Sequence, residues 1–197
     1  IMSIGYQMHV SAMKLAKEGI YEREIAGYME GLALSQGGFI SFPVILSKHG
    51  EILHNESHDN LLKNGDLLLV DAGYESEMGY ATDNTRTFAV GGKFTDKQKE
   101  IYNIVLKANE EVTRNAKPGI TYLDMHILAA KNIVSGLKDL GLMKGDIEEA
   151  VAAGAHALFF PHGLGHAMGL DVHDMENLGE DKVGYTPDMN RRSQFGT

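Results

Sequence analysis

The sequence contains no cysteine, which removes disulfide frameworks, thiolate nucleophiles, zinc ribbons and iron–sulfur clusters together. Any bound metal must then be held by oxygen and imidazole. No apolar run approaches the ~20 residues that a membrane-spanning helix requires, so no membrane partner is expected. Basic residues are scarce as well: 18 Lys and Arg stand against 27 Asp and Glu, a formal charge of −9. That sign disfavours nucleic acid, whose phosphates must be neutralised over a broad basic patch. Ile1 to Val10 offer neither a basic lead nor a long apolar stretch, so no secretory signal is visible and a cytoplasmic protein is expected. The glycosylation tripeptide Asn55-Glu56-Ser57 carries little weight beside the missing cysteines. The four prolines are scattered (Pro43, Pro118, Pro161, Pro187), and no linker, low-complexity tract or short repeat interrupts the chain. A single domain over residues 1–197 is therefore predicted.

What is present fits such a domain. Apolar residues at 43% and charged residues at 23% are ordinary globular values, and a chain of this length hides about 70% of the surface it exposes when unfolded. Between Met8 and Gln36, apolar residues recur at helical spacing (Met8, Ala12, Leu15, then Ile25, Tyr28, Met29, Leu32). The pattern breaks near Gly19 and stops at Gly37-Gly38, which predicts two helices. Short β-rich runs follow at Phe39–Leu46, Ile52–Leu53, Leu67–Asp71 and Tyr80–Val90, with a turn at Asn64-Gly65-Asp66. The plan then repeats. Thr95-Asp96-Lys97-Gln98 is a capping box that opens a helix with Ile101, Ile104, Val105, Ala108 and Val112 on one face, ending before Pro118-Gly119. Thr121 caps a further helix carrying Leu123, Ile127, Ala130, Val134 and Leu137, which Gly141 stops. After an acidic segment at Asp146–Val151 the chain turns β-like at Ala157–Phe160. Helices followed by grouped strands, twice over, predict an α+β fold.

Asp71 ends the apolar run Leu67-Leu68-Leu69-Val70, which reads as a strand buried on both faces. A carboxylate there is costly unless it is paired or bound to metal. If the strand through Tyr80–Phe88 folds back on this one, Asp71 and Asp83 oppose each other across a turn centred on residue 77, with Cβ atoms ~5 Å apart. Two like charges that close repel unless a cation lies between them. The competing arrangement pairs one aspartate with Arg86 and leaves the other in solvent. A second cluster holds His162, His166 and His173. The first two have the spacing of a helical zinc pair, but Gly163 and Gly165 disfavour a helix and no glutamate follows His162, so the metalloprotease helix motif is rejected. Gly163, Gly165 and Gly169 miss the dinucleotide fingerprint by one residue. What these glycines offer is close backbone approach, so that imidazoles can converge on a small ligand or an ion. His54, just ahead of the Asp71 strand, is ordinary when taken alone.

Leu69-Val70-Asp71-Ala72-Gly73, the stretch from Gly79 to Phe88, and His162-Gly163-Leu164-Gly165-His166 followed by Asp171-Val172-His173-Asp174 together resemble the Xaa-Pro aminopeptidase and prolidase branch of the pita-bread metallopeptidases. The resemblance runs in order over nearly the whole chain. It implies the pita-bread (creatinase/aminopeptidase) fold, with two pseudo-twofold-related halves of helices followed by antiparallel strands, and a curved sheet with helices outside. It also implies that Asp71, Asp83 and His166 are ligands of a two-metal centre, manganese first, with cobalt or zinc as alternatives suited to the same oxygen and imidazole donors. His54 and His173 are implied as non-ligand catalytic groups near the scissile carbonyl and the proline end, and His162 as one near the substrate pocket. The implied activity is hydrolysis of the bond between an N-terminal residue and proline, in a peptide or dipeptide, by an enzyme that can form a homodimer.

Methionine aminopeptidases share the fold and stay as an enzymatic alternative. A non-catalytic module that binds a peptide or protein through the same cleft is the alternative from another class. Creatinases, which use no metal, are disfavoured by the two aspartates. The branch's remaining ligands are two glutamates, one of them its proton shuttle, in strands that would lie beyond Arg191–Thr197. A separate N-terminal domain is common as well. The chain is thus expected to be a catalytic domain short of its C-terminal portion and of any N-terminal domain, binding metal weakly or not at all by itself. The interval from Asp71 to Asp83 is one residue longer than usual in the branch, which places the extra residue in the hairpin turn.

Overall fold

Two helices open the chain where apolar spacing predicts them, α1 (Met2–Leu15) and α2 (Glu22–Ser35). Gly19, at a left-handed φ of +85°, turns the chain between them. The backbone N–H of Tyr21 donates to the Glu24 carboxylate (2.9 Å), half of a capping box that starts α2. Five short strands follow: β1 (Phe39–Ile40), β2 (Ile45–Ser47), β3 (Leu67–Ala72), β4 (Tyr74–Glu75) and β5 (Asn84–Ala89). The order β2-β3-β5 makes an antiparallel sheet, and β1 pairs with β4. The structure is a computed structural model and describes residues 1–174. The expectations about Arg191–Thr197 lie outside those residues.

These elements form one compact unit, Ile1–Phe94 with the stretch that begins at Ala167; Thr95–His166 form a second. In the first, Met8 and Ala12 of α1 and Ile25, Ala26, Met29 and Ala33 of α2 pack with Leu46, Leu62, Leu68, Val70 and Ala72. Burial along β3 alternates, with Leu68, Val70 and Ala72 in this core and Leu67, Leu69 and Asp71 only half-buried. The strand is therefore covered fully on one face rather than on both, as an antiparallel sheet permits, and Asp71 is not in the dry core. Two other expectations are corrected. The run Phe39–Leu46 splits around Pro43, which has no N–H to give a ladder. Ile52 and Leu53 form no strand but a turn, with Ile52 N–H donating to His49 O (3.0 Å) and both side chains more than half exposed.

The second unit begins with α3 (Asp96–Asn115), capped by Thr95 as its sequence predicts. Gln98 N–H donates to Thr95 Oγ1 (3.3 Å), and Thr95 N–H to Gln98 Oε1 (2.8 Å). Thr121 caps α4 (Tyr122–Asp139) in the same manner, accepting from Asp124 N–H at 3.1 Å. Gly136 lets α3 come close, since a Cβ there would sit 2.5 Å from Ile104 Cγ1. The acidic segment is itself a helix, α5 (Ile147–Ala152), because Asp146 accepts from the N–H groups of Glu148 and Glu149 (2.9 and 3.1 Å). The expected strand at Ala157–Phe160 is instead a 3-10 turn, Ala155–Leu158. Its bonds run over three residues, Ala157 N to Gly154 O and Phe159 N to His156 O, each 3.0 Å. A short apolar run does not by itself distinguish a strand from a helical turn. No helix among the described residues is long and apolar enough to cross a membrane.

Candidate metal centre

The ladder between β3 and β5 fixes where the two aspartates stand. Asp71 pairs with Thr85 and Ala72 with Asn84. The same register continues past the strands: Thr82 N–H donates to Tyr74 O (2.8 Å), and Glu75 bridges to Ala81. Ser76 N–H donates to Tyr80 O (3.0 Å), which closes a turn centred on residue 78, not 77. Asp83 therefore falls opposite Gly73, and the aspartates are diagonal neighbours rather than directly opposed. Since side chains alternate, a two-residue shift in register keeps both on one face, and a diagonal spacing of roughly 7 Å leaves room for a cation between them. Both residues are half-buried, and Asp71 Oδ1 is shielded from solvent. The same alternation sends Arg86 to the other face, where its Nη1 donates to Thr85 O (2.7 Å).

Gly73 is required by close approach. A Cβ there would overlap Thr82 O and Ser41 Oγ, which are joined by a 2.7 Å hydrogen bond. On the side of this strand pair that α1 covers, His9 is 5% exposed with Nε2 3.2 Å from Ala72 O. One turn earlier Gly5 lies against Thr82 and Asn84. Burial holds the His9 pKa below the usual imidazole range, so the ring is neutral near pH 7 and Nε2 carries the proton that it donates to Ala72 O. Sequence reasoning does not single out His9; the available signal is a titratable residue set beside Met8 on the apolar stripe of α1.

His54 is exposed at the end of a turn, with φ +52°, a left-handed conformation that few non-glycine residues adopt. His173 is exposed in the stretch after Ala167, which is tied to the hairpin by Ala81 N–H donating to Gly169 O (2.9 Å). Asp71, Asp83, His54 and His173 thus belong to the first unit, and His162 and His166 to the second. Among the described residues no group of three or more His, Asp or Glu side chains could hold a metal ion. The structure brings the two aspartates onto one face and assembles no larger cluster among the described residues.

In the second unit no helix spans His162–His166, as the glycines predict. A Cβ on Gly165 would lie 2.5 Å from the Tyr122 hydroxyl, so the close approach is made by a tyrosine. Burial pushes the Tyr122 pKa up. The His162 ring meets Phe160 edge-on (4.9 Å), Phe160 stacks on His126 (5.1 Å), and His126 meets His156 edge-on (5.9 Å). His126 and His156 are fully buried. Burial, chiefly, lowers the pKa of each, with His156 and His162 adding to the effect on His126.

These depressed values carry a stability consequence. Each buried imidazole binds its proton more weakly when folded than when unfolded, where its pKa is about 6.5. Their contribution is thus complete above about pH 6.5 and is lost as the pH falls, because the unfolded chain takes up protons first. Urea midpoints are expected to fall between about pH 7.5 and about pH 5.5. His126→Phe, which keeps the ring against Phe160, should flatten that dependence; a midpoint that does not change with pH in the parent chain would contradict it.

The model of metallopeptidase family M24 matches residues 1–192. The Xaa-Pro aminopeptidase of Escherichia coli (strain K12) is 41% identical over 177 residues, covering 88% of this chain and 40% of that protein. The Xaa-Pro dipeptidase of Homo sapiens is 36% identical over 180 residues, covering 87% of this chain and 36% of its own length. The solved structure of a glutamate-to-alanine variant of E. coli aminopeptidase P in complex with substrate matches with a TM-score of 0.85 at 40% identity, covering 91% of this chain and 41% of that one. Other solved alanine variants of that enzyme replace, in order along its chain, a histidine, two aspartates and two histidines. The chain spans about two-fifths of the length of these relatives. At this similarity the fold is the pita-bread fold of aminopeptidase P, and the chain belongs to metallopeptidase family M24.

Proposed function

We propose that the protein carrying this chain is a metal-dependent Xaa-Pro peptidase, hydrolysing the bond between an N-terminal residue and proline in a peptide or dipeptide. The observation that carries the reading is a match of intervals. From His54 to Asp71, from Asp83 to His162 and from His162 to His173, this chain repeats the spacing of the residues replaced in the E. coli variants. Only the interval from Asp71 to Asp83 differs, by one residue, and the turn at Ser76–Tyr80 is where such a residue is absorbed.

The donors fit divalent metal. Asp71 and Asp83 bring hard oxygens to a common face, and the reading adds the imidazole of His166 as a further donor. In this reading those three residues hold a dinuclear centre, with manganese ahead of cobalt or zinc. The ions, when bound, supply Lewis acidity that acidifies water and polarises a carbonyl. His54 and His173 then donate hydrogen bonds where negative charge develops on the scissile carbonyl or steady the proline end, each worth about 3 kcal/mol. His162 lines the substrate pocket. A single catalytic domain, a cytoplasmic location and a homodimer belong to the same proposal.

The test is hydrolysis of a Gly-Pro dipeptide and a Gly-Pro-initiated peptide against their Gly-Ala counterparts, before and after chelation. Cleavage confined to proline substrates, lost to chelator and restored by manganese, is expected. Equal cleavage of both sets, or indifference to chelator, would reject the reading.

A further inference from the structure

Glu22 opens α2 and is fully buried, although neither the core nor the site gives its charge a task. Its carboxylate accepts three hydrogen bonds. Oε1 takes the backbone N–H of Lys48 (2.8 Å), and Oε2 takes both the backbone N–H (3.3 Å) and the side-chain amide (2.9 Å) of Asn60. Beside them the N–H of Glu22 donates to Asn60 O, and that of Arg23 to His58 O, each 3.0 Å. Lys48 and Asn60 are the two feet of the loop that carries His54. A single buried carboxylate therefore joins both feet, with bonds of the charge-assisted kind that are roughly twice as strong as neutral ones.

The loop's other ties gather near its feet, where Lys48 Nζ also reaches Asp66 Oδ2 (3.2 Å) and Arg23 pairs with Asp59 (3.5 Å). Ile52 and Leu53 are more than half exposed and add no core. Asn55 Nδ2 donates to Ser47 Oγ (3.1 Å), and His58 Nδ1 lies 3.1 Å from Leu46 O, so the further anchors also sit near the feet. His54 nevertheless stands at φ +52°. A non-glycine residue persists in that region only when its surroundings over-determine it.

We propose that Glu22 is the positioning residue of the His54 loop, setting the separation of Lys48 and Asn60 and through it the place of the His54 imidazole. The inference rests on the reading of His54 as a group that acts on substrate. The variant Glu22→Gln keeps the size of the side chain but replaces one acceptor oxygen with a donor. In the manganese-loaded protein carrying this chain, amide hydrogen exchange over residues 48–60 should accelerate at least about 10-fold while β3 amides stay protected. The kcat for a Gly-Pro substrate should fall about 10-fold with KM changed less than about twofold. Adding Glu22→Gln to His54→Ala should cost much less than it does alone, since both changes act through one imidazole.

Asn60→Ala removes one of the three donors and serves if Glu22→Gln does not fold, with a smaller acceleration of the same amides. Loop exchange equal to the parent, or kinetic losses that multiply in full, would overturn the inference. If the parent protein cleaves no Xaa-Pro bond, the proposed function fails, and the exchange experiment alone decides whether Glu22 clamps the loop.

Discussion

Asp83→Asn in the protein that carries this chain should abolish hydrolysis of Gly-Pro substrates, lowering kcat/KM by about 1,000-fold or more. Asparagine keeps the shape of the side chain and can fill the place opposite Gly73, so the β3–β5 hairpin should survive and thermal melting should change little. What disappears is a negative charge and one anionic oxygen. A divalent ion contributes several kcal/mol of charge stabilisation, and each 1.36 kcal/mol corresponds to a factor of ten in rate, so weakening one site of a dinuclear centre reaches that magnitude. Asp71→Asn should do the same, since the register sets both carboxylates on one face. Steady-state kinetics with manganese in excess give the comparison. Near-normal turnover in either folded variant would remove that aspartate from the proposed metal centre.

Much of this arrangement is legible in sequence where the physics is local. The Thr95 and Thr121 caps are found at the predicted residues because a capping box is closed within four positions and needs no tertiary partner. Strand β3, read as Leu67–Asp71 and found at Leu67–Ala72, is legible for the same reason, as a β-rich run bounded by turn residues. The turn centre lies one position from where the sequence puts it, since register depends on where the turn absorbs its extra residue and apolar alternation is indifferent to a two-residue shift. Ile52–Leu53 and Ala157–Phe160 read as strands, yet are not, because short apolar runs carry no period. His9 and Glu22 escape a sequence reading for a different reason. His9 bonds to Ala72 and Glu22 to Lys48 and Asn60, and partners that far along the chain leave no mark in a local window. The histidine motifs are recognisable as words before any geometry, but their spacing alone does not assign His162 and His166 to one compact unit and His54 and His173 to another.

Gly73→Ala should be the most damaging small substitution in the first unit, reducing stability by about 3 kcal/mol, at the upper end for forcing extra volume into a packed site. The reason is steric rather than conformational. Gly79, at the tip of the same hairpin, has φ +80° but open space around it, with only Leu170 Cδ2 as near as 3.8 Å to the place a methyl group would take, so alanine there meets backbone strain alone. Gly73 has no left-handed φ; instead its Cβ would overlap the Thr82 carbonyl and the Ser41 hydroxyl. Relief requires the chain on either side of Asp83 to move away from β3, which separates the aspartates as well as costing stability. Urea unfolding should show a lower midpoint with an unchanged slope, the mark of a weaker fold rather than an altered unfolded state. Ser41→Ala added to Gly73→Ala should recover little, because the Thr82 oxygen belongs to the backbone and cannot be trimmed. A Gly73→Ala protein with the parent's midpoint would mean that the hairpin yields freely at this point, and the close pairing that holds Asp71 and Asp83 on one face would lose its structural basis.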